Sequence, residues 1–223
     1  MPMTAPDYDR YFTPGLAFAY ESGQTGTLHV AVAGELWLPS GRVTACDPFI
    51  GLGAGEAEPF TAAVAPGRYR VETAIATLTT PDEPADEAPH LRTAAARVVV
   101  SDALTATWEL ALVAGQDPAE LDADEYFGYG VDAGAGCFYD PAADEAFSEC
   151  QGDEGPLWDA FEANDHGPGP YLITGESGHT LTAFGSGWGD GSYPTWVGRD
   201  ARGEITCFVT DFFVVPPVGG DPA

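Results

Sequence analysis

The chain has 223 residues, 44% of them hydrophobic and 12% aromatic, which excludes a disordered acidic tail and fits one large or two small folded domains. It sets 35 Asp and Glu residues against eight arginines and no lysine, for a formal net charge of −27. A field of that sign repels nucleic acid and anionic membrane and attracts cations or basic proteins, so it bounds the partners without specifying any chemistry.

The charge is unevenly spread. Between Arg97 and Arg199 there is no basic side chain, while nineteen acids fall in the same stretch. A GC-rich genome or a salty cytoplasm would give the same bias with no partner at all. No apolar run approaches the ~18 residues that span a bilayer. The opening MPMTAPDYDRYF shows neither a basic n-region nor an apolar h-region, so a cytoplasmic location without a signal peptide is expected.

Residues 1–26 read as an N-terminal lead-in. A β-rich region follows over 27–114, with strands expected at Leu28–Ala33, Glu35–Leu38, Arg42–Cys46, Arg68–Leu78, Ala95–Ser101 and Thr105–Val113. Period 2 is clearest in the last, where Ala106, Trp108, Leu110 and Leu112 share one face. In Arg68–Leu78, Arg68, Arg70 and Glu72 oppose Tyr69, Val71 and Ile75. Pro39-Ser40-Gly41 and Pro66-Gly67 mark turns, and the Pro/Asp/Glu-rich stretch from Thr80 to Pro89 reads as a mobile surface loop.

An α+β region is expected over 115–215, forming one compact unit with 27–114. Asp140 is placed to cap a helix beginning at Pro141, with Ala143, Phe147 and Cys150 as its apolar stripe. A second short helix begins at Pro156, with Leu157 and Phe161 on one side, and Asn164-Asp165-His166-Gly167 ends it. Strands return at Thr180–Phe184, Tyr193–Arg199 and Glu204–Val215, the last two joined as a hairpin through Asp200-Ala201-Arg202-Gly203. Residues 216–223 read as a flexible tail. The expected fold is therefore α+β and β-rich: antiparallel sheets, sandwich-like in the N-terminal part, two or three short helices and a C-terminal hairpin.

Two strings could carry chemistry. In GSGWGDGSYP, Gly185, Gly187, Gly189 and Gly191 alternate with Ser186, Trp188 and Asp190. The helix and lysine of a phosphate cradle are missing, which leaves a tight structural loop or a recognition loop displaying Trp188, Asp190 and Tyr193. In VDAGAGCFYD, Asp132 and Asp140 bracket two glycines and Cys137. That spacing can hold a hard cation, although the alternating acids of a calcium loop are absent and Asp140 already has work as a cap. The cysteines Cys46, Cys137, Cys150 and Cys207 show no zinc spacing; they read as small buried residues, with a reactive Cys137 or a disulfide (Cys46–Cys207 or Cys137–Cys150) as the alternatives. No base is brought to Cys137 by spacing, whether His29, His90, His166 or His179, and no GxSxG, HExxH or GxGxxG occurs. No catalytic residue can be named, and no cofactor is expected.

Five strings taken together carry a resemblance: LPSGRVTACDPF, APGRYRV, TWELAL, FGYGVDAGAGCFYD and GDGSYPTWVGRDARGEITCFVTDF, in that order from Leu38 to Phe212. They resemble the bacterial domain of unknown function 4241 family. The resemblance brings no reaction with it; it implies that Asp47, Asp132, Cys137, Asp140, Asp190 and Tyr193 fall in the family's signature motifs.

The expectation drawn from charge is an acidic cytosolic protein that binds a basic protein partner, of the kind that neutralises a toxin as an immunity protein does. Trp158 and Trp188 would anchor such an interface if exposed. The competing expectation is a divalent-cation-dependent enzyme or cation-binding domain using Asp47, Asp132, Asp140 and Asp190, and a structural protein with no ligand is the third.

Overall fold

A computed structural model describes residues 2–81, 89–150 and 155–217, with the side chains of 149 and 150 outside that description. The charged loop expected from Thr80 to Pro89 and the tail expected from 216 onward lie largely outside these residues.

The strands are β1 (Ala17–Ala19), β2 (Thr25–Leu38), β3 (Thr44–Cys46), β4 (Gly67–Thr79), β5 (His90–Val99), β6 (Thr107–Leu110), β7 (Tyr129–Val131), β8 (Ala135–Tyr139), β9 (Tyr171–Thr174), β10 (Thr180–Gly185), β11 (Gly191–Tyr193), β12 (Thr195–Arg199) and β13 (Ile205–Asp211). One α-helix, α1 (Pro156–Glu162), and several 3-10 turns complete the described elements. Their pairings are all antiparallel. A seven-stranded sheet runs β1-β2-β4-β5-β13-β12-β6, a four-stranded sheet runs β3-β8-β10-β9, and β11 pairs with β7 as a two-stranded ribbon.

The C-terminal hairpin slots between β5 and β6, so the large sheet draws on both halves of the sequence. Its turn is built by Asp200, whose carboxylate accepts from the amides of Arg202 at 2.8 Å and Glu204 at 3.0 Å. The two segments expected at Leu28–Ala33 and Glu35–Leu38 are one strand, β2, because Gly34 forms a bulge at φ +127, where other residues would be strained. Pro194 lacks an amide hydrogen and divides the expected Tyr193–Arg199 strand into β11 and β12. The helix expected after Asp140 is instead two 3-10 segments, Pro141–Ala143 and Glu145–Cys150. At their junction the Asp144 carboxylate is taken by the Tyr139 hydroxyl at 2.9 Å and the Gly53 amide at 3.1 Å, which holds the chain down on the sheet. Ala143 and Phe147 are nevertheless buried, as their spacing required.

Depth is set by the four-stranded sheet. In β8 every residue is buried: Phe138 faces the seven-stranded sheet, while Ala135, Cys137 and Tyr139 face the opposite way. β10 alternates in the same manner, with Phe184 on the first side and Leu181 and Ala183 on the second. The first side joins Leu28, Leu36, Val71, Val98, Phe208 and Phe212 in the main core. Leu157 and Phe161 of α1, together with Phe147, cover the second. The order of layers is therefore large sheet, small sheet, helical cover.

The N-terminal lead-in is fastened to this body. Tyr8, in a 3-10 turn over Tyr8–Arg10, is fully buried and donates through its hydroxyl to Asp211 at 2.9 Å. The other oxygen of Asp211 accepts from the Phe213 amide at 2.9 Å. Tyr20 donates in the same way to the carbonyl of Val214.

Burial pushes the Asp211 carboxyl up to about 6, against the opposing donations of Phe213 and Tyr8. The native protein thus keeps a proton that the unfolded chain releases near pH ~4, and this group's contribution to stability declines as pH rises through about 6. Asp211→Asn removes that titration. It should gain on the wild type by roughly 3 kcal/mol between pH ~4 and ~6, and urea unfolding across that range would show parallel curves if Asp211 titrates normally.

Candidate functional site

Asp47 follows β3 directly and is almost fully buried at 3% exposure. Its position is fixed by backbone donors rather than by a cation. One oxygen accepts from the amides of Asp132 at 2.9 Å and Ala133 at 2.7 Å, and the other from the Phe49 amide at 3.0 Å. The carboxylate therefore ties the segment after β3 to the turn between β7 and β8. Asp140 does a similar job elsewhere. It is fully buried, caps the following 3-10 turn through the Ala142 amide at 2.9 Å, and accepts from the Ser40 amide at 2.9 Å and the Ser40 hydroxyl at 2.8 Å. Both acids have their lone pairs committed to the fold.

Above Asp47 lies the cleft that best fits a functional site. It has a volume of about 620 Å³ and is walled by Cys46 at the end of β3, by Asp47 and Ile50 after it, by Phe60, by Tyr129 and Val131 of β7, and by Asp132 just beyond that strand. Glu56 and Glu58 complete its acidic rim, and no arginine or histidine lines it. The carboxylates of Glu56, Glu58 and Asp132 are exposed, and none makes an ion pair among the described residues. Ile50, exposed at 49%, stands at the same opening. The arrangement offers negative charge around apolar and aromatic surface, which suits a cationic side chain with an aliphatic or planar stem.

The remaining sequence candidates are dispersed. Asp132 and Asp190 adjoin Val131 and Gly191, the terminal pair at one end of the β7–β11 ladder. Tyr193 is buried in that ribbon; its hydroxyl donates to the Gly189 carbonyl at 2.9 Å and its ring packs edge-on against Phe212 at 4.9 Å. Trp188 is about half exposed, but it belongs to a second groove of about 750 Å³ with Arg92, His166 and Gly134. There its indole donates to the Phe213 carbonyl at 3.3 Å and Arg92 lies over its ring at 5.9 Å. Trp158 is half-buried against Phe49 and His166.

Cys137 is fully buried and sits beneath the cleft, its sulfur 3.7 Å from that of Cys46. Burial, reinforced by the thiol–thiol contact with Cys46, pushes its thiol well above the ordinary range. Cys137 is thus a small buried residue, as expected, and its burial argues against the alternative of a reactive thiol acting alone. The contact is also with Cys46, a pairing the sequence did not offer; Cys207, offered to Cys46, lies in the main core, and the side chain of Cys150, offered to Cys137, lies outside the described residues. Among the described residues no three His, Cys, Asp or Glu side chains converge in a way that would hold a metal ion.

Glu56, Glu58, Phe60 and Tyr129 were not singled out by sequence reasoning. The one signal present was the spacing of Glu56 and Glu58 two apart in the extended Gly-Glu-Ala-Glu-Pro string, which puts both on one side of the chain.

A family model described as "Protein of unknown function (DUF4241)" matches residues 36–210, which contain the whole cleft and all seven sequence candidates. The chain belongs to this family. No curated protein and no solved structure matches it. Tyr8 and Asp211, which lock the lead-in to the body, fall outside the matched span.

Substitution should separate the two kinds of acid in these motifs. Asp47→Asn and Asp140→Asn each weaken a buried acceptor that several backbone amides share and should lower unfolding free energy by about 1.5–3 kcal/mol. Asp132→Asn and Asp190→Asn, both exposed, should stay within about 0.5 kcal/mol. Urea titration of the four variants makes the comparison, and a stable Asp47→Asn would show that its three amide contacts do not hold the turn.

Proposed function

We propose that this protein is a cytoplasmic binding protein whose acidic cleft receives a basic segment of a protein partner, an immunity-type protein that neutralises a basic toxin being its most concrete form. The observation that carries the reading is the cleft itself: three carboxylates, Glu56, Glu58 and Asp132, unpaired among the described residues, around Ile50, Phe60 and Tyr129, with no arginine or histidine among the described residues that line it. Net charge of −27 supplies long-range attraction, which acts on the encounter rate and is screened over about 8 Å at physiological salt. The cleft supplies what a diffuse field lacks, apolar surface on which the stem of an arginine or lysine loses water.

A divalent-cation enzyme built on Asp47, Asp132, Asp140 and Asp190 is less well supported. Two of those four carboxylates are already satisfied by backbone amides and by Ser40.

The test is calorimetric titration with an arginine-rich peptide at low and high salt. The triple variant Glu56→Gln, Glu58→Gln, Asp132→Asn should weaken binding by about tenfold or more. A control that removes the same charge at other exposed positions, Glu120→Gln, Asp122→Asn, Asp124→Asn, should cost about threefold or less. Equal losses from the two variants would reduce the cleft to one patch of a uniformly acidic surface and sink the proposal.

A further inference from the structure

Nothing in the proposed binding reaction uses the two thiols below the cleft. β3 and β8 pair so that Cys46 stands directly opposite Cys137. Residues so placed have Cα atoms about 4.5–5.5 Å apart, within the span of a disulfide. Their sulfurs are already in contact at 3.7 Å, one thiol donating to the other. Bond formation requires the sulfurs to close from 3.7 Å to about 2.05 Å. The third cysteine whose side chain is described, Cys207, lies in β13 within the main core and contacts the Thr206 hydroxyl instead. The thiols also differ in access: Cys46 lines the cleft at 6% exposure, while Cys137 is sealed at 0%.

We propose that Cys46 and Cys137 form a reversible disulfide, made by exchange with a small disulfide that enters through the cleft. Cys46 gives up its proton to water, and its thiolate attacks one sulfur of the incoming disulfide and expels the first thiolate. Cys137, deprotonated in turn, attacks the Cys46 sulfur of the mixed disulfide and expels the second. Two protein thiols are oxidised, one small disulfide is reduced to two thiols, and the two protons leave with those products. Cys46 lines the cleft while Cys137 is sealed, which assigns the first attack to Cys46.

The bond would fix β3 to β8 immediately before Asp47, whose carboxylate anchors the Asp132–Ala133 turn of the cleft. Oxidation therefore stiffens the floor of the cleft, whatever the cleft binds.

The experiment uses the folded, fully reduced chain incubated with oxidised glutathione, quenched in acid, denatured and alkylated. Peptides are then mapped after cleavage at aspartate. Trypsin would not serve, because no arginine separates Cys137 from Cys150, whereas Asp140 and Asp144 do. The expected product is one linked peptide pair joining Cys46 to Cys137, reversed by dithiothreitol, with a thermal midpoint about 5–15 °C above that of the reduced protein. Cys207→Ala should keep the link. Cys137→Ala should instead accumulate glutathione on Cys46, which traps the first step. Recovery of both thiols free, a link joining other cysteines, or a link formed only in denaturant would overturn the proposal. Mapping of the wild-type chain decides between these outcomes by itself, so a variant that fails to fold does not obscure the result.

Discussion

The four-stranded sheet has no solvent face at its centre, and the rest of the molecule is arranged to satisfy that. β8 and β10 bury side chains in both directions, so they need a layer on each side. The seven-stranded sheet supplies one, meeting Phe138 and Phe184, whose rings are 5.2 Å apart. α1 and the 3-10 segments supply the other. Because β3 is an edge strand of the same sheet, the chain leaving it must turn across the β7–β8 connection, and Asp47 is the clamp at that crossing. A buried carboxylate is costly unless its lone pairs are filled, and three amides fill them here.

The same logic divides the charges. Of the eight arginines, Arg70 and Arg97 converge on the nearly buried Glu72, Arg97 reaching it at 2.8 Å. Arg199 pairs with Glu109 and Arg202 with Asp200. These pairs belong to the large sheet and its hairpin turn, and the exposed ones contribute little individually. Their consequence is spatial. These four arginines serve as cross-links, and among the described residues the cleft between β3 and the β7 ribbon is lined by acids but by no arginine or histidine. A proposed cationic ligand would compete with no internal ion pair there.

Strand periodicity carried much of the fold. β4, β6 and β10 lie where the strand pattern put them, β13 falls within the expected Glu204–Val215, β5 begins at His90 ahead of the expected Ala95–Ser101, and the 200–203 turn was readable because Asp and Gly suit its geometry. β8 was not readable. Ala135-Gly136-Cys137-Phe138-Tyr139 shows no alternation because both of its faces are buried, so no strand was expected there. β2 looked like two strands because a bulge at Gly34 breaks the period while the ladder continues. The motif acids were visible as motifs, but their roles were not: the chain advertises Asp47, Asp132, Asp140 and Asp190 alike, and only burial separates the clamps from the exposed pair.

Composition and near neighbours along the chain were enough to establish the sign and size of the charge, the β-rich antiparallel class and the cap at Asp140. In each case the deciding chemistry acts within a few residues. Folding in three dimensions was needed to bring the C-terminal hairpin into the large sheet, to set Cys46 against Cys137, and to gather Glu56, Glu58 and Asp132 around one cleft. Each depends on contacts between segments tens of residues apart, and those are fixed by which faces must leave water together rather than by any local signal.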